Sequence, residues 1–217
     1  MRGVVLLCAI AAVAGGIASA ATAPPAVPRD TDPWWAPQAT MLAFQRASPG
    51  PDDGDVLFTP AVRGPEVDIV GAGRVRGFRP GSGDLLLETG SSTSVRDGSD
   101  REIARVPGTD AAWSPDGTRI AFMQGDALAV SEASGADYRQ LATGVVPPGP
   151  DVTGPVWAPD GTAVAVATTT PAGSAILVVP VDGSAPHAAF EGAGDNVDPS
   201  WSRDGASVAF DRDTGGR

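Results

Sequence analysis

The chain has 217 residues, enough for one or two domains of ordinary size. Its 28 Gly and 21 Pro make up about 23% of the sequence, against about 12% in average proteins, and both residues interrupt helices. This composition excludes a helix bundle and favours short strands joined by tight turns. The formal charge is −11, and all 15 basic residues are Arg. Because nucleic-acid binding depends on positive charge, the charge balance excludes a nucleic-acid partner.

The first 20 residues have the three-part pattern of a secretory signal peptide. Arg2 supplies the positive charge, residues 4–14 are almost wholly apolar, and Ala18-Ser19-Ala20 offers the small residues of a cleavage site. We expect cleavage after Ala20 and export to the periplasm or the extracellular space, leaving no membrane segment; retention of the leader as an anchor is the alternative. The single cysteine, Cys8, lies in this leader. The mature chain is therefore not expected to form disulfides or thiolate metal sites.

An internal repeat begins at Trp113 and recurs at Trp157 and Trp201, each copy 44 residues after the one before. Each copy is ten residues long and joins a Trp, a tight turn with Asp-Gly and a short hydrophobic segment. Weaker copies begin at Trp35 and Phe78. The repeat-motif residues are Trp35, Pro37, Phe78, Pro80, Trp113, Pro115, Asp116, Gly117, Trp157, Pro159, Asp160, Gly161, Trp201, Asp204 and Gly205.

The residue types of the motif predict a hairpin. Pro presets φ for the second turn position, Asp bonds to nearby amides, and Gly takes the left-handed conformation that leads into the next strand. The following strand alternates large and small apolar residues, as in Ile120-Ala121-Phe122. A strand with one wet face would alternate apolar with polar residues instead. Both faces are therefore expected to be buried, as in small four-stranded sheets stacked around an axis.

The pattern W-[SA]-P-D-G-T-x-[IV]-A-[FV] resembles the PD40-type, WD-like repeat of TolB-like β-propellers. It is also similar to repeats in the N-terminal propellers of prolyl oligopeptidase and dipeptidyl peptidase IV-like enzymes. The resemblance implies an all-β propeller of four-stranded antiparallel blades over residues 34–217, with blades starting near residues 35, 78, 113, 157 and 201. A Pro-rich linker over residues 21–33 would precede it.

The sequence ends two strands into the fifth repeat. Six blades of this period would need about 264 residues. We therefore expect about 4.5 blades of a C-terminally truncated ring that has six or more; a closed four-bladed ring is the alternative.

Few residues in the sequence are of the types and patterns used in catalysis or metal binding, and we expect no catalytic, cofactor or metal site. The only histidine, His187, is predicted on an outer strand, and no G-x-S-x-G motif is present. Asp195 and Asp198 are predicted near the channel rim, where they could contact a ligand or cation. Arg74, Arg76 and Arg79 alternate along a predicted strand, a spacing typical of a solvent-exposed face; an anion site is the alternative.

The sequence therefore favours an exported, non-enzymatic scaffold that binds a protein, an envelope polymer or another ligand through its rim. The alternative is the propeller domain of a prolyl oligopeptidase or dipeptidyl peptidase IV-like serine peptidase whose catalytic domain lies outside this chain.

Overall fold

The computed structural model describes residues 29–37, 41–47, 55–60, 67–149 and 152–213. Within these ranges the fold is all-β, with eighteen strands and no helix. The described residues accordingly include no helix long and apolar enough to cross a membrane. The signal peptide predicted over residues 1–20 lies outside the described part.

Four sheets have four strands each, and a fifth has two. Blade one contains β1 (Arg29–Trp35), β2 (Met41–Ala47), β3 (Asp55–Pro60) and β4 (Val67–Ala72). Blade two contains β5 (Arg74–Phe78), β6 (Leu85–Thr89), β7 (Ser92–Arg96) and β8 (Glu102–Val106). Blade three contains β9 (Thr109–Trp113), β10 (Arg119–Gln124), β11 (Ala127–Glu132) and β12 (Arg139–Ala142). Blade four contains β13 (Val156–Trp157), β14 (Ala163–Thr170), β15 (Gly173–Pro180) and β16 (His187–Gly192), and the half blade contains β17 (Asp195–Trp201) and β18 (Val208–Asp213).

In every blade, strands that are consecutive in the sequence pair antiparallel, so that each sheet is a meander. The predicted fold class, an all-β fold of four-stranded antiparallel blades, is confirmed. The five sheets follow one another in an arc that the described strands do not close into a ring.

The blade boundaries differ from the sequence prediction. The motif aromatic is the last residue of each blade's first strand, so each blade begins several residues before it. The predicted linker over residues 21–33 is wrong in its last part, because β1 already begins at Arg29. Asp32 and Pro33 precede Trp35 at the same spacing at which Asp198 and Pro199 precede Trp201. These residues therefore belong to the repeat, although their proline made the segment resemble a linker.

Hydrophobic clusters lie between neighbouring blades. In β10, Ile120 and Phe122 belong to the cluster shared with blade two, whereas Ala121 and Met123 belong to the cluster shared with blade four. Ile120, Ala121 and Phe122 are fully buried. The large-small-large pattern therefore does mark a strand with both faces covered, as the sequence predicted. In the half blade, where only one face is covered, Ala209 is exposed.

The motif tryptophans connect adjacent blades by hydrogen bonds. Trp157 Nε1 donates to the Ala112 carbonyl oxygen at 3.0 Å, and Trp201 Nε1 donates to the Val156 carbonyl oxygen at 3.1 Å. In both cases the acceptor is the residue just before the motif aromatic of the preceding blade. The indole thus fills the seam between two sheets and also pairs its one polar atom there.

Two arginines cross the seams beside the motif tryptophans Trp113 and Trp157. Arg79 Nε donates to the Gly117 carbonyl oxygen at 2.7 Å, and its guanidinium lies 5.5 Å from the ring centre of Trp113. Arg119 Nη2 donates to the Gly161 carbonyl oxygen at 2.8 Å, and the guanidinium carbon of Arg119 lies 5.0 Å from the ring centre of Trp157. The turn glycines take φ of 69° and 70°, so they serve both the left-handed turn and the close approach of the arginine.

Trp113 departs from this pattern, because its buried Nε1 has no hydrogen-bond acceptor. By analogy with the other seams, its acceptor would be the carbonyl of Gly77. Gly77 has a φ of 137°, whereas Ala112 and Val156, the acceptors in the other seams, do not have a positive φ. A buried N–H without a partner costs about 1–3 kcal/mol.

Three matched Trp→Phe substitutions test this account of the seams. Trp157→Phe removes a made hydrogen bond and is expected to lower the free energy of unfolding by about 1–2 kcal/mol. Trp113→Phe removes an unpaired N–H and should be less destabilising or even stabilising. Trp35→Phe is the control, since Trp35 is 58% exposed. Urea unfolding of the three variants measures the differences; equal losses for Trp157→Phe and Trp113→Phe would contradict the assignment.

Candidate functional site

An open cavity of about 820 Å³ lies along the first strands of blades one to four. The first strands of neighbouring blades contact one another, β1 with β5, β5 with β9, and β9 with β13. They therefore form the inner side of the arc, and the cavity occupies the central channel. Sites of about 300–1,000 Å³ are typical of small-molecule binding.

Trp34 is the largest side chain that faces this cavity from blade one. It precedes the motif aromatic Trp35, and the corresponding residues Ala112 and Val156 also line the cavity. The six-membered ring of Trp34 lies over Gly77, where an added Cβ would be 3.4 Å from the nearest ring carbon. Trp34 remains 41% exposed, so one part of its indole is open to the channel.

A half-buried ion network lies at the blade-two wall of the cavity. Arg76 Nη2 lies 3.0 Å from Asp110 Oδ1 of blade three, and Arg76 Nε lies 3.7 Å from Glu88 Oε2. Glu88 Oε2 also accepts a hydrogen bond of 2.7 Å from the Asp110 amide. Gly154 packs against this network, since a Cβ there would lie 2.7 Å from Asp110 Cβ. The network fixes the inner strands of blades two, three and four relative to one another.

The sequence prediction that Arg74, Arg76 and Arg79 form a solvent-exposed face is wrong for two of the three. The side chains of Arg76 and Arg79 are 15% and 31% exposed and both make ion pairs. β5 is the inner strand of its blade and Arg79 lies in a seam, so both side chains meet protein instead of solvent. Only Arg74 is exposed, and it lines the cavity.

The predicted rim contacts lie outside the lining of this cavity. Asp198 reaches back to blade four, where its Oδ1 accepts hydrogen bonds from the Thr153 amide, at 2.7 Å, and from the Thr153 hydroxyl. Asp195 is exposed at the start of β17. A ligand contact of either carboxylate stays a prediction, and the contacts that Asp198 makes are those of a link between blades.

Asp110 and Asp198 occupy the same position of the repeat, three residues before the motif Trp. Their φ values are both 53°, a left-handed conformation that is uncommon for a residue other than Gly. Each contacts the preceding blade: Asp110 pairs with Arg76 of β5, and Asp198 bonds to Thr153, three residues before β13. This role of Asp110 was not predicted from the sequence, although the recurrence of Asp three residues before Trp was a usable signal.

The turn aspartates Asp116, Asp160 and Asp204 bond within their own turns. Asp116 Oδ1 accepts from the Ser114 hydroxyl at 2.6 Å and from the Thr118 amide at 3.0 Å. These bonds lower the pKa of Asp116 from 3.8 to about 2. Hydrogen bonds also lower the pKa of Asp160, chiefly from the Thr162 amide, and of Asp204, chiefly from the Ser202 hydroxyl.

Other residue types suited to chemistry lie apart from the channel. His187 is exposed at the start of β16, the outermost strand of blade four. In the part of the chain that the structure describes, no three His, Cys, Asp or Glu side chains come together as metal ligands would. The cavity thus offers aromatic, apolar and guanidinium groups.

Comparison with known proteins supports the architecture. No family model matches the sequence, and no curated protein matches it significantly. Among solved structures, a TolB-assigned protein from Agrobacterium tumefaciens is 20% identical, with a TM-score of 0.59 over 84% of this chain and 69% of that one. Oligogalacturonate lyase in complex with manganese is 14% identical, with a TM-score of 0.63 over 89% of this chain and 65% of the lyase. The tricorn protease is 13% identical, with a TM-score of 0.57 over 83% of this chain and 18% of the protease.

The chain has a β-propeller fold. Identities this low establish the fold alone, because one propeller architecture hosts many functions. The propeller places the cavity, Trp34 and Arg74 at its channel and the Asp-Gly turns between the first two strands of its blades.

Because of the lowered pKa values of the turn aspartates, we expect the folded chain to lose stability at low pH. Their pKa is lower in the folded chain than in the unfolded chain, so their stabilisation is present above the unfolded value and is lost as the pH falls through the folded value. For Asp116 this window runs from 3.8 down to about 2.

We expect the midpoint of urea unfolding to fall between about pH 5 and about pH 2. Asp116→Asn, which carries no charge at either pH, should make this fall smaller. Asp126→Asn, at an exposed turn residue, is the control and should leave it unchanged. An identical pH dependence in Asp116→Asn and the unmodified protein would refute the role of this carboxylate.

Proposed function

We propose that the chain is an exported, non-enzymatic propeller scaffold that binds a partner in the cell envelope at the mouth of its central channel. The channel cavity of about 820 Å³ carries this proposal. The cavity is built by four blades, and an extended ion network from Glu88 through Arg76 to Asp110 makes its wall rigid. A preorganised wall lowers the entropy that a partner loses on binding.

Export is supported by the leader and by the chemistry of the rest of the chain. The segment from Val4 to Ala14 is apolar and ends close to the small residues Ala18-Ser19-Ala20. After cleavage the chain contains no cysteine, so its fold does not depend on the redox state of the compartment. The stabilising contacts are apolar seams and hydrogen bonds, which form equally well outside the cytoplasm.

A binding role agrees with the placement of the titratable groups. Asp116, Asp160 and Asp204 recur in successive blades and each accepts hydrogen bonds within its own turn. A catalytic group would be needed once and would face the substrate, whereas His187 lies on the outer side of blade four. The residues that face the channel are suited to holding a ligand.

A serine peptidase of the prolyl oligopeptidase type is the second candidate. It is supported by the fold similarity to the tricorn protease. In that case the propeller would control access to a catalytic domain elsewhere in the gene product. A G-x-S-x-G motif encoded downstream of Arg217 would favour the peptidase; a stop codon after further blade motifs would favour the scaffold.

Site-specific photo-crosslinking in the organism that makes the protein tests the scaffold. A benzoylphenylalanine at Val152, which lines the cavity, should give one discrete adduct. The same group at Asp182, in the exposed turn between β15 and β16, is the matched control and should give none. Deletion of residues 1–20 should abolish the adduct, because the protein would stay in the cytoplasm. No adduct from Val152, or the same adduct from Asp182, would contradict the proposal.

A further inference from the structure

Residues of the inner strands can be compared between blades by their distance from the motif aromatic. Some of these positions recur from blade to blade, and others do not. Four residues before the motif aromatic, blades one, three and four have Thr31, Thr109 and Thr153. In a repeat protein such recurrence reflects the common needs of blade packing. A residue that occurs in a single blade and faces the channel is therefore not explained by the repeat.

Two cavity residues, Trp34 and Arg74, differ in chemistry from their counterparts in the other blades and also have exposed side chains. Blade two has Arg74 where blades one, three and four have Thr and the half blade has Val197. Blade one has Trp34 just before the motif aromatic, whereas the later blades have small or medium residues there. These residues are Gly77, Ala112, Val156 and Ser200. Trp34 and Arg74 both line the same cavity.

Arg74 differs electrostatically from its neighbour Arg76. Arg76 is bound by the carboxylates of Asp110 and Glu88. Glu88 is the cross-strand partner of Arg74, but its Oε2 contacts Arg76 and accepts a hydrogen bond from the Asp110 amide. Within the described ranges Arg74 makes no ion pair, and its side chain is exposed to the cavity. A guanidinium with free donors binds a carboxylate through two parallel hydrogen bonds.

Trp34 supplies a surface of different chemistry. It is 41% exposed although it sits over Gly77 on the inner side of the arc. An indole face of this kind packs on flat aromatic rings or on the apolar face of a sugar ring. The glycine beneath it has no side chain, and its φ of 137° disfavours any other residue. The local backbone of blade two is thus compatible with the bulk of the indole.

We propose that the channel cavity binds a small organic acid whose carboxylate pairs with Arg74 and whose ring packs on Trp34. The ligand class is set by the two residues together: an acid without a ring would leave the indole uncovered, and a neutral ring would leave Arg74 unpaired. A chain of net charge −11 repels anions at long range, so the specific contact with Arg74 is what holds the carboxylate. The ring is that of a sugar acid or of an aromatic acid.

Isothermal titration calorimetry on the purified protein tests this site. The probes are D-glucuronate and 3-phenylpropionate, each paired with a neutral analogue, D-glucose or 3-phenyl-1-propanol. At least one acid is expected to bind with a Kd of about 1 mM or lower, and its neutral analogue at least about fivefold more weakly, as expected when a charge-assisted pair is lost. The acid that binds more tightly identifies the ring.

Substitutions locate the site. Arg74→Gln should weaken binding of the acid by about fivefold or more, and Trp34→Leu should weaken the acid and its neutral analogue together. Arg203→Gln, in the exposed turn of the half blade, is the control and should not change binding. Circular dichroism checks that each variant is folded, and Arg74→Gln changes an exposed side chain, so its result is decisive even where Trp34→Leu unfolds the protein.

The proposal is overturned if neither acid binds at about 10 mM, if a neutral analogue binds as tightly as its acid, or if Arg74→Gln binds like the unmodified protein. The inference rests on the proposed scaffold function, and the two fail separately. Acid binding without a crosslink from Val152 would keep the site and reject the envelope partner. A crosslink without acid binding would keep the scaffold and reject this ligand class.

Discussion

Burial of one blade face against the next is the constraint on which the rest of the structure depends. A four-stranded sheet of this size cannot bury its own apolar faces, so each blade gains its core only from its neighbours. Ala121 shows the consequence, since a larger side chain would push away the next sheet, where Trp157 packs in the same cluster. The hydrogen bonds of the seam tryptophans and the crossing arginines fix the register of sheets that the apolar contacts bring together.

The sequence was sufficient to predict the blades because their signals are local. Asp-Gly turns and alternating strands lie within ten residues, and their recurrence gave the four-stranded architecture. Contacts between blades were not predictable in the same way. Arg119 and its acceptor Gly161 are 42 residues apart. Arg79 also donates to a turn glycine of the next blade, but it stands at a different motif position from Arg119. The spacing of Arg74, Arg76 and Arg79 suggested an exposed face because a single strand does not reveal that it is the inner one.

The repeat made the fold predictable, but it did not point to the candidate site. Residues that recur, such as Asp116, were recognised as part of the repeat motif, and in the structure they bond within their own turns. In the proposed site, Trp34 and Arg74 differ in chemistry from their counterparts in the other blades. Gly77, the position of the acceptor that Trp113 lacks, lies in the same strand as Arg74.

Hydrogen–deuterium exchange resolved by strand tests most directly whether neighbouring faces stabilise each blade. β10, β11, β14 and β15 lie in blades three and four, whose central strands are largely buried. In β18 (Val208–Asp213), four of the six residues are exposed and none is buried. Slowest exchange in the central strands of blades three and four and fastest in the half blade is the predicted result. Equal protection in all five sheets, or greatest protection in β17 and β18, would show that each sheet is stable by itself and would contradict the account.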